Sequence, residues 1–148
     1  MPSFRSRLFW VISRTAQFLY QHFPVFGALR GSVAIIRRDG GYIAIERNDG
    51  LGLGFPGGIA RFRETPEKTV RREVLEETGL NITTAAYQFD FRNPKPLPTH
   101  TYVFEATAEG ELRSSWEGTA RIVDLPELQR RIVSPQRQVV DYLLSLGK

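Results

Sequence analysis

Apolar positions along the chain change period several times, and each change marks an element. In residues 3–23, SFRSRLFWVISRTAQFLYQHF, the side chains Phe4, Leu8, Val11, Ile12, Leu19 and Phe23 approximate one helical face, with Arg5, Arg7, Arg14 and Gln17 as polar breaks. Pro24 ends that pattern. Alternation then predicts strands over 32–38 and 41–47, joined by a turn at Arg38-Asp39-Gly40-Gly41. A helix follows between Thr65, a good N-cap with Pro66 behind it at N1, and Gly79, which stops the run. Its 3.6-residue period sets Val70 and Val74 to one side, with Leu75 further round, while Glu73, Glu76 and Glu77 share a face. A second pair of strands is expected over 82–91 and 99–108, separated by the stiff, proline-rich 93–98. A short strand at 120–123 precedes a closing helix at 134–146, with Pro135 at N1 and Val139, Val140, Leu143 and Leu144 on its apolar face. Helix, strand pair, helix, strand pair, strand and helix predict an α/β fold with a mixed β-sheet between helices. No internal repeat, low-complexity tract or linker divides the chain after residue 25.

Composition narrows this picture without redirecting it. With 148 residues and 41% hydrophobic content, the chain suits one domain with a substantial core. The net charge of +4 favours polyanionic partners in general: nucleic acid, anionic lipid or a phosphorylated small molecule. The excess is N-terminal, where residues 1–47 hold seven arginines against Asp39 and Glu46. Absence of cysteine excludes disulfides, thiolate metal sites and a cysteine nucleophile, and is compatible with the cytoplasmic location we expect. His22 and His100 stand too far apart in sequence to form a local metal pair, and each is read as a structural or surface residue.

The N-terminal segment, residues 1–25, is read as an amphipathic helical extension to a domain over 26–148. It is too interrupted for a transmembrane span and lacks the long apolar run and small-residue site of a signal peptide. Three roles stay open: packing on the domain or on a second copy as a homodimer, contact with a membrane surface through its basic and aromatic residues, or a processed leader.

The chemistry concentrates in residues 57–80, GGIARFRETPEKTVRREVLEETGL. Three carboxylates at i, i+3 and i+4 repel one another by a few tenths of a kcal/mol per pair even on an exposed helix, and by more when desolvated. They call for a cation between them. Hard oxygen ligands suit Mg²⁺ or Mn²⁺. From Gly58 the spacing runs five residues to Glu64, seven to Arg72-Glu73, then Val74, Leu75, Glu76-Glu77, Thr78, Gly79 and Leu80. An acidic helix is ordinarily only a solvated face held by i,i+4 pairs, but here the glycine doublet, the outlying Glu64 and the register speak otherwise. This stretch resembles the complete box of the Nudix hydrolases, Gx5Ex7REUxEExGU, where U is an apolar aliphatic residue.

The resemblance implies a Nudix-type α/β/α sandwich and metal-dependent hydrolysis of a diphosphate bond in a nucleoside diphosphate linked to a further group. On that reading Glu73, Glu76 and Glu77 hold Mg²⁺ or Mn²⁺ with the carbonyl of Gly57, and Glu64 braces loop and helix. Arg72 orients a carboxylate rather than clamping substrate. Glu117, before the last strand, matches a further metal-binding or basic glutamate, so that Glu76 or Glu117 accepts the proton. Arg47, at the end of its strand, is expected to reach substrate phosphates, and Phe55 in Phe55-Pro56-Gly57-Gly58 to border the substrate. Two positions depart from the commoner box: Arg63, where glycine is frequent, and Thr69, where alanine is usual. A nucleoside triphosphate is favoured as substrate, with a nucleotide sugar or ADP-ribose next, and no specific nucleic-acid binding is expected. The alternative is a non-catalytic nucleotide-binding module acting as a sensor or scaffold, a view that a missing box carboxylate would favour; none is missing.

Overall fold

The computed structural model describes residues 28–95 and 97–147. The expected N-terminal helix, the boundary at 25/26, His22 and Pro96 lie outside the described residues.

Strand β1 (Leu29–Arg38) is the spine of the fold. It pairs in parallel with β6 (Thr99–Glu109), from Leu29↔Thr99 to Ile36↔Ala106, and its first half pairs on the other side with the short β4 (Gly57–Ile59). Its end turns through Asp39 (φ 49°) and Gly40 (φ 78°) into β2 (Gly41–Arg47). Two consecutive positive φ values are what a tight hairpin of the strands' own twist requires, and Asp and Gly are the residues that tolerate them. Strand β5 (Asn81–Asn93) lies antiparallel on β6, while β3 (Leu53–Gly54) and β7 (Gly118–Val123) flank β2. One parallel pairing among antiparallel ones makes the sheet mixed, as expected.

Alternation along β1 assigns its side chains to two cores. Val33 and Ile35 join Phe91, Val103, Leu128, Val139, Val140 and Leu143 beneath α2 (Leu125–Arg131) and α3 (Arg137–Leu146). Ala34 and Ile36 face the other way, onto Val70, Val74, Leu80 and Phe104 beneath α1 (Pro66–Thr78). The result is an α/β/α sandwich. Among the described residues, no helix is long and apolar enough to cross a membrane.

Helix α1 begins where its sequence says it should: Thr65 accepts from the Lys68 amide, Pro66 opens the first turn, and Gly79 closes it at φ 75°. Val70 and Val74 are fully buried, each contributing about 1.5–3 kcal/mol, which outweighs the few tenths that each glutamate pair costs. Leu75 is exposed.

Three details differ from the alternation pattern. The closing helix starts as a 3-10 turn at Ser134–Gln136 and becomes α-helical only at Arg137, a tighter first turn of the kind common at helix N-termini. Helix α2, at seven residues, is too short to show in the apolar pattern, although Asp124 caps it by accepting from the Glu127 amide. Strands β3 and β4 are two and three residues long, too short for any period to register.

Candidate active site

The glycine doublet is the mechanical start of the site. A Cβ on Gly57 would overlap the Ser32 carbonyl of β1, and one on Gly58 would stand 2.6 Å from the Glu73 carboxyl carbon. Glycine at 57 lets β4 lie against the backbone of β1, and glycine at 58 leaves the Glu73 carboxyl its place where α1 lies against β4. The Gly57 amide then donates to Glu77 Oε2 at 2.8 Å, tying strand to helix at the point where the carboxylates gather.

Burial grades the three helix glutamates. Glu77 is buried, Glu73 is partly buried and Glu76 is exposed. Burial is the first cause that pushes the Glu77 carboxyl up; the nearby charges of Glu117 and Glu73 add to it and the Gly57 amide opposes it. Glu117, from a sequence-distant loop, lines the same cleft as Glu77 and its charge acts on the Glu77 carboxyl. Glu73 is likewise pushed up by burial, and Arg72 pulls it back.

Arg72 organises the other side. Its Nε donates to Glu64 Oε1 and its Nη2 to Glu64 Oε2, both at 2.8 Å. Its Nη1 reaches Glu73 at 2.6 Å and Glu76 at 3.2 Å, and Nη2 also caps the Ile59 carbonyl at 3.1 Å. Arg61 takes the second oxygen of Glu76 at 3.1 Å. The Glu64 carboxyl is held down to about 2, first by Arg72 and then by the Arg61 amide. So Glu77 and Glu117 share one cleft, whereas Glu73 and Glu76 are held by arginine. Among the described residues no three carboxylates or imidazoles stand close enough to grip one ion.

The donor chemistry nevertheless fits a hard divalent cation. Glu73, Glu76 and Glu77 lie along one face of α1 near Glu117 and Gly57, all oxygen donors, and burial first, then neighbouring carboxylates, raises the carboxyls of Glu73 and Glu77.

A cleft of about 500 Å³ opens beside this cluster and is lined by five residues singled out from sequence: Arg47, Phe55, Gly57, Glu77 and Glu117. Arg47 ends β2 at the rim, with its Nε 3.1 Å from Asp49 Oδ1; that pairing holds the Asp49 carboxyl down to about 2. Phe55 is only 2% exposed, so its ring belongs to the core and it forms the floor of the cleft rather than a free stacking surface. Glu64, Arg72, Glu73 and Glu76 stand outside the cleft lining.

Sequence reasoning missed other lining residues. Gln136 Oε1 accepts from the Phe55 amide at 2.7 Å, and Asn48 Nδ2 donates to the Trp116 carbonyl at 2.7 Å, joining two rim loops. Gln136 carries no sequence signal. Asp49 carries a faint one, an Asp-Gly turn just past a strand-end arginine.

Fold and site together define an α/β/α sandwich protein whose glycine elbow and glutamate-bearing helix border an oxygen-rich cleft. The chain belongs to the Nudix family: the NUDIX domain model matches residues 28–143. It is similar to a MutT-like protein of Streptomyces ambofaciens, 46% identical over 48 residues, which make up 32% of this chain and 31% of that relative. Two solved structures share the fold. The MutT NUDIX hydrolase of Burkholderia pseudomallei is 24% identical, with 77% of this chain and 96% of that one covered at a TM-score of 0.67. The solution structure of the E. coli ORF135 protein is 20% identical, with 82% and 91% covered at a TM-score of 0.71. Nudix hydrolases in general cleave pyrophosphate bonds of phosphorylated small molecules with the help of divalent metals.

Proposed function

We propose that this chain is a Nudix pyrophosphohydrolase that cleaves a diphosphate bond in a nucleoside diphosphate linked to a further group, with a nucleoside triphosphate favoured and a nucleotide sugar or ADP-ribose next. One observation carries the reading: the cleft that receives Glu77 from the complete box also receives Arg47 and Glu117 from β2 and the loop before β7.

Glu73, Glu76, Glu77 and Glu117, with the Gly57 carbonyl, would hold Mg²⁺ or Mn²⁺. Bound there, the ion supplies charge for the phosphate oxygens and lowers the pKa of a water. Arg47 is placed at the rim to exchange Asp49 for a substrate phosphate, where its planar fork offers two parallel donors. Arg72 keeps Glu73 and Glu76 in register, and Glu64 keeps Arg72 in place. Glu76 or Glu117 takes the proton from the attacking water, and both are exposed enough to pass it on to solvent. The cysteine-free chain is read as cytoplasmic.

The test is a panel of nucleoside triphosphates, nucleotide sugars, ADP-ribose and dinucleoside polyphosphates with Mg²⁺ and Mn²⁺, run beside Glu76→Gln. The variant is expected to lose at least ~10²-fold in kcat, the scale of removing a charge-stabilising group. Unchanged turnover in Glu76→Gln would rule out the assigned roles. Silence across the panel from a folded protein would instead favour the nucleotide-binding module.

A further inference from the structure

We infer that Thr69 is a positioning residue for the acidic site: its hydroxyl completes the lock on Glu64, and through Glu64 it holds the Arg72 guanidinium that orients Glu73 and Glu76. The inference rests on the site roles proposed above and concerns a residue outside the set they assign.

Thr69 lies in the first turns of α1 on the side facing the sheet, and it is fully buried. Its Oγ1 stands 3.0 Å from Glu64 Oε2 and 3.0 Å from the Thr65 carbonyl. A hydroxyl has one proton to give. The Thr65 carbonyl already receives the Thr69 amide at 2.9 Å, and the competing acceptor is an ionised carboxylate held near 2, so the carboxylate is the stronger claim on that proton.

Counting donors on Glu64 shows what the hydroxyl adds. Oε1 receives Arg72 Nε; Oε2 receives Arg72 Nη2, the Arg61 amide at 2.9 Å and the Thr69 hydroxyl. Oε1 has one donor and Oε2 three, so the acceptor sites of Oε2 are fully engaged. Three of the four bonds come from the loop and the arginine that the carboxylate is meant to hold. Thr69 supplies the bond anchored in the buried face of the helix. An alanine would leave a gap beside Oε2, which would then be held by the loop and the arginine alone. A valine, the same shape, would press a methyl against the charge. Either change frees Glu64 to turn, and with it Arg72, whose Nη1 sits against Glu73 and Glu76.

The decisive experiment uses the full chain and reads Mn²⁺ binding directly, as loss of the free-ion resonance signal, for the wild type, Thr69→Ser, Thr69→Ala and Thr69→Val, with a thermal melt for each. Serine keeps the hydroxyl and should bind as the wild type does. Alanine and valine should bind about three- to tenfold more weakly, at or below the low end for losing a partner that orients a metal ligand. Their kcat should fall by a similar factor while KM for a nucleoside triphosphate stays within about twofold. In a Glu64→Gln background, Thr69→Ala should add nothing to the loss, since the two act as one unit. Wild-type Mn²⁺ binding in folded Thr69→Ala or Thr69→Val, or losses that add in the double variant, would overturn the inference. A wild type that binds no Mn²⁺ would overturn the proposed function and this inference with it, a result the Thr69 variants alone cannot produce.

Discussion

Arg63 adopts φ 60°, in the left-handed region, with its guanidinium carbon 5.2 Å over the centre of the exposed Phe62 ring. A residue with a Cβ is strained there by about 1–2 kcal/mol, whereas glycine is not. Glycine gives back roughly 0.5–1 kcal/mol of that gain as lost chain entropy, and loss of the exposed cation–π contact takes away about 0.5–1 kcal/mol more. Arg63→Gly should therefore change the stability of the domain by no more than about 1 kcal/mol, moving Tm by no more than about 2–4 °C in a melt. A larger fall in Tm would mean that the ring contact outweighs the strain. The same position shows what sequence could and could not reveal. Arg63 stood out beside the box because glycine is frequent there, yet only the backbone angle shows that its neighbours had already committed to the turn. Gly57 and Gly58 were legible as a close-approach pair, but the partners they approach, Ser32 and Glu73, come from elsewhere in the chain. Gln136 was illegible because its role is made by a backbone amide 81 positions away.

At the scale of elements, long periodic segments were readable and short ones were not. Helix α1 and strands β1, β2, β5 and β6 declared themselves because caps, period and turn chemistry agreed. Helix α2 has only seven residues; besides its Asp124 cap and the buried Leu128, ion pairs to residues far along the chain tie it down. Arg121 on β7 pairs with Glu127 on α2 and with Glu46 on β2, and Arg131 closes the ring onto both glutamates. This ring fastens α2 to the strand that ends in Arg47. The two arginines hold the Glu127 carboxyl down to about 2 from an ordinary 4.5, and Arg72 does the same for Glu64. A carboxyl depressed on folding contributes stability that is whole above its unfolded pKa and is lost as pH falls through the folded one. Tm should therefore decline as pH drops from about 4.5 towards 2. The decline should be shallower in Glu127→Gln, and shallower for the wild type in high salt because these groups are partly exposed. Identical acid profiles for wild type and Glu127→Gln would show that the ring adds nothing.

The whole molecule poses a question of charge. Its net +4 is concentrated before residue 48, yet the domain's cleft needs few of those arginines, Arg47 chief among them. Residues 1–25 contribute Arg5, Arg7 and Arg14 beside Phe4, Phe9, Trp10 and Phe18. A basic and aromatic amphipathic segment has two physical uses: burying its apolar stripe on protein, or laying it into an anionic interface. The two differ in what truncation costs. If the stripe covers the domain or a second copy, removing residues 1–25 exposes apolar surface, lowers Tm and, in the homodimer case, shifts sedimentation to the monomer. If it contacts membrane, the truncated domain keeps its Tm and hydrolytic activity, while the full chain alone co-sediments with anionic vesicles and releases as salt rises past a few hundred millimolar. Packing on protein is the expected result, because eleven polar or small residues break the run of apolar ones in residues 3–23 and leave a narrow stripe. Vesicle binding by the full chain, with an unchanged Tm after truncation, would reverse that assignment and place the hydrolytic cleft at a membrane surface.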